Sequence, residues 1–275
     1  MQDIKDIINK NITYSKLKNQ FISFKKAQGL AKRTLKDYNR TFTIFERYYT
    51  KDIIDLEEMK TSLLEMFENF SSGAPATFNV PFSNLMCFFN WCVKNEYIKA
   101  NPLKQTGLVK KKDLGKARAI PEDIIFKLFD VMNINTFVGL RDYAILTLTL
   151  DTGIRPSEAF GIEIEDLDLE HWEVTIKATV SKTRVQRILP LSYQTVEILK
   201  RFLMIREEHW INYLFLTING TQMRTNTWEL RIQNYRQKLN YKFTPYDLRH
   251  SFSILFLKNR WWCFFSTKNS TVILT

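Results

Sequence analysis

Two arginines and a lysine stand where an anion could be held. Arg155 lies in the run Asp151-Thr152-Gly153-Ile154-Arg155-Pro156-Ser157-Glu158. Gly153 permits a tight turn, and Pro156 is placed to open a helix. Arg249 lies one turn into a second helix opened by Pro245, with Thr244 at the N-cap and Asp247 able to reach back to it. A guanidinium beside a helix N-terminus joins a two-pronged phosphate grip to exposed backbone N–H groups. Lys182 falls in Ser181-Lys182-Thr183, near the turn of an expected hairpin. Each arginine alone has an ordinary alternative, an ion pair to Glu158 or to Asp247. Two of them flanking a lysine hairpin in a basic chain shift the balance towards phosphate chemistry.

The elements that must position these residues follow from periodicity. From Tyr14 to Tyr49, apolar residues recur at spacings near three and four, and Gly29 breaks the run into two helices. The second carries Lys32, Arg33, Lys36 and Arg40, with Lys32, Lys36 and Arg40 on one face. Further helices are expected over Asp55–Phe70 and Ala76–Asn95. The latter turns Phe82, Leu85, Met86, Phe89 and Trp91 to a core and is open to a kink at Pro81. Later come helices at Pro121–Asn133 and Leu140–Leu150, the second nearly all apolar and so buried. Strands are expected at Trp172–Val180 and Arg184–Leu189, then helices at Tyr193–Glu207 and Thr225–Leu239.

Composition narrows the class. The 275 residues hold 40 Lys+Arg against 29 Asp+Glu, a formal charge of +11. With 45% hydrophobic and 14% aromatic residues and only 8 Gly and 7 Pro, the chain is not disordered. No apolar run is long enough for a membrane helix, and Met1-Gln2-Asp3-Ile4-Lys5 opens without a signal-peptide core. Scattered histidines and the three cysteines Cys87, Cys92 and Cys263 suggest neither a metal site nor a disulfide framework. The expected setting is the cytoplasm and the expected partner a polyanion. Charge concentrates at 101–120, where Lys104, Lys110, Lys111, Lys112, Lys116 and Arg118 face Asp113 alone among acids. That stretch reads as a linker, either a solvated connector or a basic strap along a phosphate backbone.

Three motifs in order carry a family resemblance: Thr152-Gly153-Ile154-Arg155-Pro156-Ser157-Glu158, then Ser181-Lys182-Thr183 followed by Leu189-Pro190-Leu191, then Tyr246-Asp247-Leu248-Arg249-His250-Ser251-Phe252. Together they resemble the tyrosine recombinases, the phage integrase family of site-specific DNA recombinases. The resemblance implies a mainly α fold with a small β-hairpin or sheet. An all-helical, SAM-like core-binding domain over 1–105 would be followed by a basic linker over 106–117. An α+β catalytic domain over 118–275 would complete it, family-like to about 259. It further implies a duplex attachment site as partner, a homotetramer on DNA, a mobile-element context, and chemistry without metal, ATP or other cofactor. In the family a tyrosine attacks a phosphodiester, leaving a 3′-phosphotyrosyl link and a free 5′-hydroxyl. By resemblance Arg155 and Arg249 grip the non-bridging oxygens, and Lys182 protonates the leaving oxygen. Lys32, Arg33, Lys36, Arg40, Lys110, Lys111 and Lys112 would bind the DNA backbone. His250 follows the arginine as in many relatives, but on its own residue type it reads as a packed structural histidine.

Two features depart from the family pattern. Tyr246 stands where relatives carry histidine, three before Arg249, from which its hydroxyl could still meet the phosphate. Beyond Asn259 the sequence runs Arg260-Trp261-Trp262-Cys263-Phe264-Phe265, and no tyrosine follows Tyr246. Back-translated, with AGG for Arg260 and the single tryptophan codon at Trp261 and Trp262, the tail read one nucleotide over begins with a glycine run, as relatives do. The expectation is therefore a frameshifted, truncated integrase lacking its nucleophile. The alternative is a non-catalytic DNA-binding regulator or a decaying remnant.

Overall fold

The computed structural model describes residues 12–112, 119–207 and 210–257. Expectations for the tail beyond 259, and for Lys116 and Arg118, lie outside the described residues. The chain forms two compact units, residues 1–115 and 116–275. Residues 106–112, read from sequence as linker, fall within the first. Among the described residues, no helix is long and apolar enough to cross a membrane.

The first unit is helical: α1 (Tyr14–Ala27), α2 (Lys32–Phe45), α3 (Leu56–Asn69), α4 (Pro75–Lys94) and the short α5 (Pro102–Gln105). Gly29, at φ +71°, makes the break between α1 and α2 that a bulkier residue would resist. Caps mark the ends: Thr13 opens α1, Asp55 opens α3, and Asn101 opens α5 with Pro102 behind it. The core is aromatic. Phe21, Phe42, Phe45, Phe88 and Phe89 are buried, and Phe21 meets Phe88 edge-on at 5.3 Å and Phe42 meets Phe88 edge-on at 5.0 Å. Helix α4 stays one element through the buried Pro81. Phe78, Phe82, Leu85, Phe89 and Cys92 form its buried stripe, while Met86 and Trp91 flank the stripe half-buried.

The second unit is built on α7 (Phe137–Thr152), buried along nearly its whole length and preceded by α6 (Glu122–Asp130). It packs against α9 (Tyr193–Met204) and α11 (Pro245–Leu257). Thr136 caps α7 by accepting from the Gly139 N–H at 3.1 Å, which starts the helix earlier than its apolar run does. A short α8 (Pro156–Ala159) leads through a 3-10 turn into a three-stranded antiparallel sheet: β1 (Leu167–Asp168), β2 (Glu173–Ile176) and β3 (Arg187–Pro190), in that order. Val174 pairs with Leu189 and Ile176 with Arg187. Helix α10 (Thr225–Leu239) precedes α11.

Both hairpin strands are shorter than expected, for local reasons. After Ile176 the chain turns, with the Val180 and Ser181 N–H groups donating to the Lys177 carbonyl. Arg184 sits at φ +55°, outside extended backbone, so β3 cannot begin before it. Strand β1 was not anticipated, being only two residues long. Two charged residues inside the apolar α7 were also passed over. Asp142, fully buried, accepts from Arg141 on one oxygen and from Arg231 and Tyr235 on the other, tying α7 to α10.

Candidate functional site

Three elements of the second unit bring cations to one carboxylate. Helix α7 ends at Gly153, which takes the left-handed conformation at φ +63°. The chain then passes through Ile154 to Arg155, the N-cap of α8. Glu158, one turn on, has a fully buried side chain. Its Oε1 accepts from the Arg155 guanidinium at 3.0 Å and from the Lys182 backbone N–H at 3.3 Å. Its Oε2 accepts from Arg187 at 2.6 Å and from the Arg155 backbone N–H at 3.3 Å. Burial pushes the Glu158 carboxyl up, but the hydrogen bonds from Arg187, the Lys182 N–H and Arg155 outweigh it and hold the pKa below 4.5.

Arg187 escaped the sequence reading. It also donates to the Ser181 hydroxyl at 3.2 Å, so one guanidinium ties β3 to the residue beside Lys182 and to the carboxylate behind Arg155. A signal was available. In β3, period-two alternation puts Arg187 on the same face as Leu189, which packs against the core, and an arginine on an inward face needs an anionic partner.

Lys182 lies on the loop between the paired ends Ile176 and Arg187. Its side chain is exposed, while its backbone is pinned to Glu158. The root of the loop is fixed separately: the Lys177 ammonium meets Glu163 at 2.6 Å, Glu165 at 2.7 Å and Asp166 at 3.1 Å.

The third contributor is α11. Thr244 and Asp247 form the expected N-terminal box: the Asp247 carboxylate accepts from the Thr244 N–H at 2.7 Å and from its hydroxyl at 2.8 Å. Asp247 is thereby occupied and does not pair with Arg249. The guanidinium of half-buried Arg249 has no hydrogen-bond or ion-pair partner among the described residues. Its pKa is lowered, first by burial and then by the like charge of Arg155, with Arg187 adding to it while Glu158 and Tyr246 oppose it. Arg155, Arg187 and Arg249 are therefore near enough for their charges to act on one another, against a single buried carboxylate. Such a site has surplus positive charge and an unfilled donor fork, which an oxyanion satisfies.

Tyr246 is 50% exposed at the mouth of α11, one turn before Arg249. His250 is exposed, which corrects the expectation of a packed histidine. The buried positions of α11 are Leu248, Ser251 and Leu255, and residue 250 falls on the opposite side of the helix. The Ser251 hydroxyl faces inward, accepting from the Ile120 N–H at 2.9 Å.

In the first unit Lys32, Arg33, Lys36 and Arg40 are all exposed along α2, opposite the buried Tyr38, Phe42 and Phe45. Ala31 at the N-cap gives no side-chain cap, and the first turn holds no acid. Three cations thus crowd an end of the helix that is already positive. Lys110 and Lys112 are exposed, whereas the side chain of Lys111 turns inward onto the backbone of its own unit.

The sequence profile of the phage integrase family matches residues 118–262. The tyrosine recombinase XerC of Myxococcus xanthus is 28% identical over 247 residues, covering 82% of this chain and 78% of that protein. The tyrosine recombinase XerD of Staphylococcus saprophyticus is 29% identical, covering 84% and 78%. Among solved structures, a lambda integrase dimer bound to a COC′ core site superposes with TM-score 0.72 at 16% identity, covering 90% of each chain. A lambda integrase tetramer bound to a Holliday junction superposes with TM-score 0.74 at 16% identity, covering 90% of this chain and 74% of that one. The mainly helical fold with its small antiparallel sheet is therefore the fold of these integrases. The chain belongs to the phage integrase family of tyrosine recombinases.

Proposed function

We propose that this protein binds duplex DNA at a site-specific attachment sequence, closes Arg155 and Arg249 on one phosphodiester, and forms no covalent link to it. The observation that carries the reading is Arg249: half-buried, unpartnered among the described residues, and crowded by two further arginines. A bound phosphate oxygen would supply the anion that this arrangement lacks. Glu158 orients Arg155 from behind and does no chemistry, because both of its oxygens are already engaged. Lys182 presents an ammonium from a loop with an anchored root, the placement a general acid for a leaving 5′-oxygen requires. Tyr246 offers a hydroxyl to the same phosphate from one turn before Arg249. The exposed cations Lys32, Arg33, Lys36 and Arg40, with Lys110 and Lys112, hold the flanking backbone electrostatically.

The family's nucleophile is not found among these 275 residues. No tyrosine follows Tyr246 in the 275 residues, and the sequence past Asn259 departs from the family pattern. On this reading these residues occupy an attachment site in the cytoplasm as a silent member of the strand-exchange family, with a shifted reading frame past Asn259 in a mobile-element gene. Assembly as a tetramer across paired sites is proposed by analogy with the DNA-bound lambda integrase tetramer. The test has two steps. Selection from random duplexes identifies a preferred site, and a nicked version of that site is then incubated with the protein. The expected result is a complex that dissociates fully in denaturing gels. A denaturant-resistant adduct would overturn the non-covalent reading and point to Tyr246. Failure to bind any duplex would overturn the DNA reading itself.

A further inference from the structure

A single carboxamide fastens the chain that follows α5. Asn79, on α4, meets Lys111 with both of its polar atoms. Its Nδ2 donates to the Lys111 carbonyl oxygen at 2.9 Å, and its Oδ1 accepts from the Lys111 backbone N–H at 2.9 Å. One residue offers its N–H and C=O to the same side when its backbone is extended, as in a sheet ladder. The Lys111 side chain completes the clasp. Its ammonium donates to the carbonyls of Phe70 at 2.9 Å, of Ser71, and of Gly73 at 3.4 Å, and it lies 5.1 Å from the centre of the Phe78 ring. These carbonyls lie at and just past the C-cap of α3, the negative end of its dipole, where a cation is favoured.

Adjacent side chains of an extended segment point to opposite faces. With Lys111 turned in, Lys110 and Lys112 are turned out together. Both are exposed, and neither makes a hydrogen bond or ion pair among the described residues. We propose that the Asn79–Lys111 clasp is a positioning device for DNA binding. It commits the middle lysine to the protein and presents Lys110 and Lys112 as an outward pair of cations, about 6.8 Å apart along the segment, to the phosphates of a duplex. Asn79 touches no DNA in this account; it acts through the two lysines. The proposal rests on the DNA-binding reading above.

Three lysines in a row would ordinarily count as three equal phosphate contacts, and this separates the clasp from a plain basic patch. The test measures affinity for a random-sequence duplex of about 30 base pairs across a salt series. Each neutralised phosphate contributes about 0.9 to the steepness of log affinity against log salt. The double variant Lys110→Ala/Lys112→Ala should lose about 1.8 of that steepness, whereas Lys111→Met, which loosens the clasp but removes no phosphate contact, should flatten the slope by clearly less than Lys110→Ala does. Asn79→Leu, similar in size but unable to clasp, should flatten the slope by at least half as much as the double variant. Added to that double variant, it should change nothing further. Circular dichroism confirms that each variant folds. If Asn79→Leu does not fold, Asn79→Asp keeps the acceptor for the Lys111 N–H, loses the donor, and should flatten the slope as well. The proposal is overturned if Lys111→Met flattens the slope as much as Lys110→Ala, or if the folded Asn79 variant matches the wild type. A wild-type protein that binds no duplex overturns the DNA reading, and the positioning role with it.

Discussion

Glu158 holds the candidate site together at the scale of single residues. Its carboxylate is buried, and it receives two guanidinium groups and the backbone of the lysine loop. Because its folded pKa lies below the ordinary 4.5, its contribution to stability is present above that value and is lost as pH falls through the lower folded value. Glu158→Gln should therefore cost about 2–4 kcal/mol at neutral pH, since it leaves buried cations short of an anion. The difference from wild type should shrink steadily below about pH 4.5. Denaturant melts of both proteins over pH 3–7 check this; a pH-independent gap would contradict it. Arg155, Arg249 and Lys182 were legible in the sequence because each sits in a short motif with its own local logic of turn, cap or hairpin. Arg187 and the Asp142 network were not, because their partners lie on other elements: 29 residues away for Arg187–Glu158, and 89 for Arg231–Asp142.

Two helix ends decide how the elements serve the site. At Gly153 a left-handed φ of +63° coincides with a close approach: a Cβ there would lie 2.4 Å from Cδ1 of Phe252 on α11. The end of α7 thus seats directly on the helix that carries Arg249. Gly153→Ala should destabilise the protein by about 1–3 kcal/mol, from backbone strain and the displaced ring. It should also reduce the rise in melting temperature that inorganic phosphate gives the wild type, since Arg155 and Arg249 would be moved apart. An unchanged phosphate response would show that this seat does not set the arginine pair. At the other end of the chain, α2 begins without a cap or an acid. Ala31→Asp supplies both, so it should raise stability by about 1 kcal/mol while weakening duplex binding. Melting curves and a gel-shift titration read the two effects, and a rise in both would contradict the assignment of this helix end to DNA.

Most helices were legible as periodicity because their buried stripes are continuous; α10, expected over Thr225–Leu239, has those bounds. The strands were legible only as a hairpin region. Their ends depend on the turn at Lys177 and the positive φ of Arg184, which alternation does not encode.

At the scale of the whole molecule, the charge of +11 falls into local sets with different tasks. One set lines α2, one flanks the inward Lys111, and one surrounds Glu158. The last differs from the others in being partly buried and held by a carboxylate, which gives it geometry as well as charge. Total charge alone would account for affinity towards any polyanion, whereas the proposed arginine grip would account for a defined phosphate position. The measurement that separates these is duplex affinity across a salt series for the wild type and for Arg155→Ala/Arg249→Ala. The predicted result is an affinity at least tenfold lower at moderate salt and a slope flatter by about 0.9 or more, one phosphate contact or better. Titrations that overlay those of the wild type, from a variant that still folds, would contradict the claim that this pair grips a DNA phosphate.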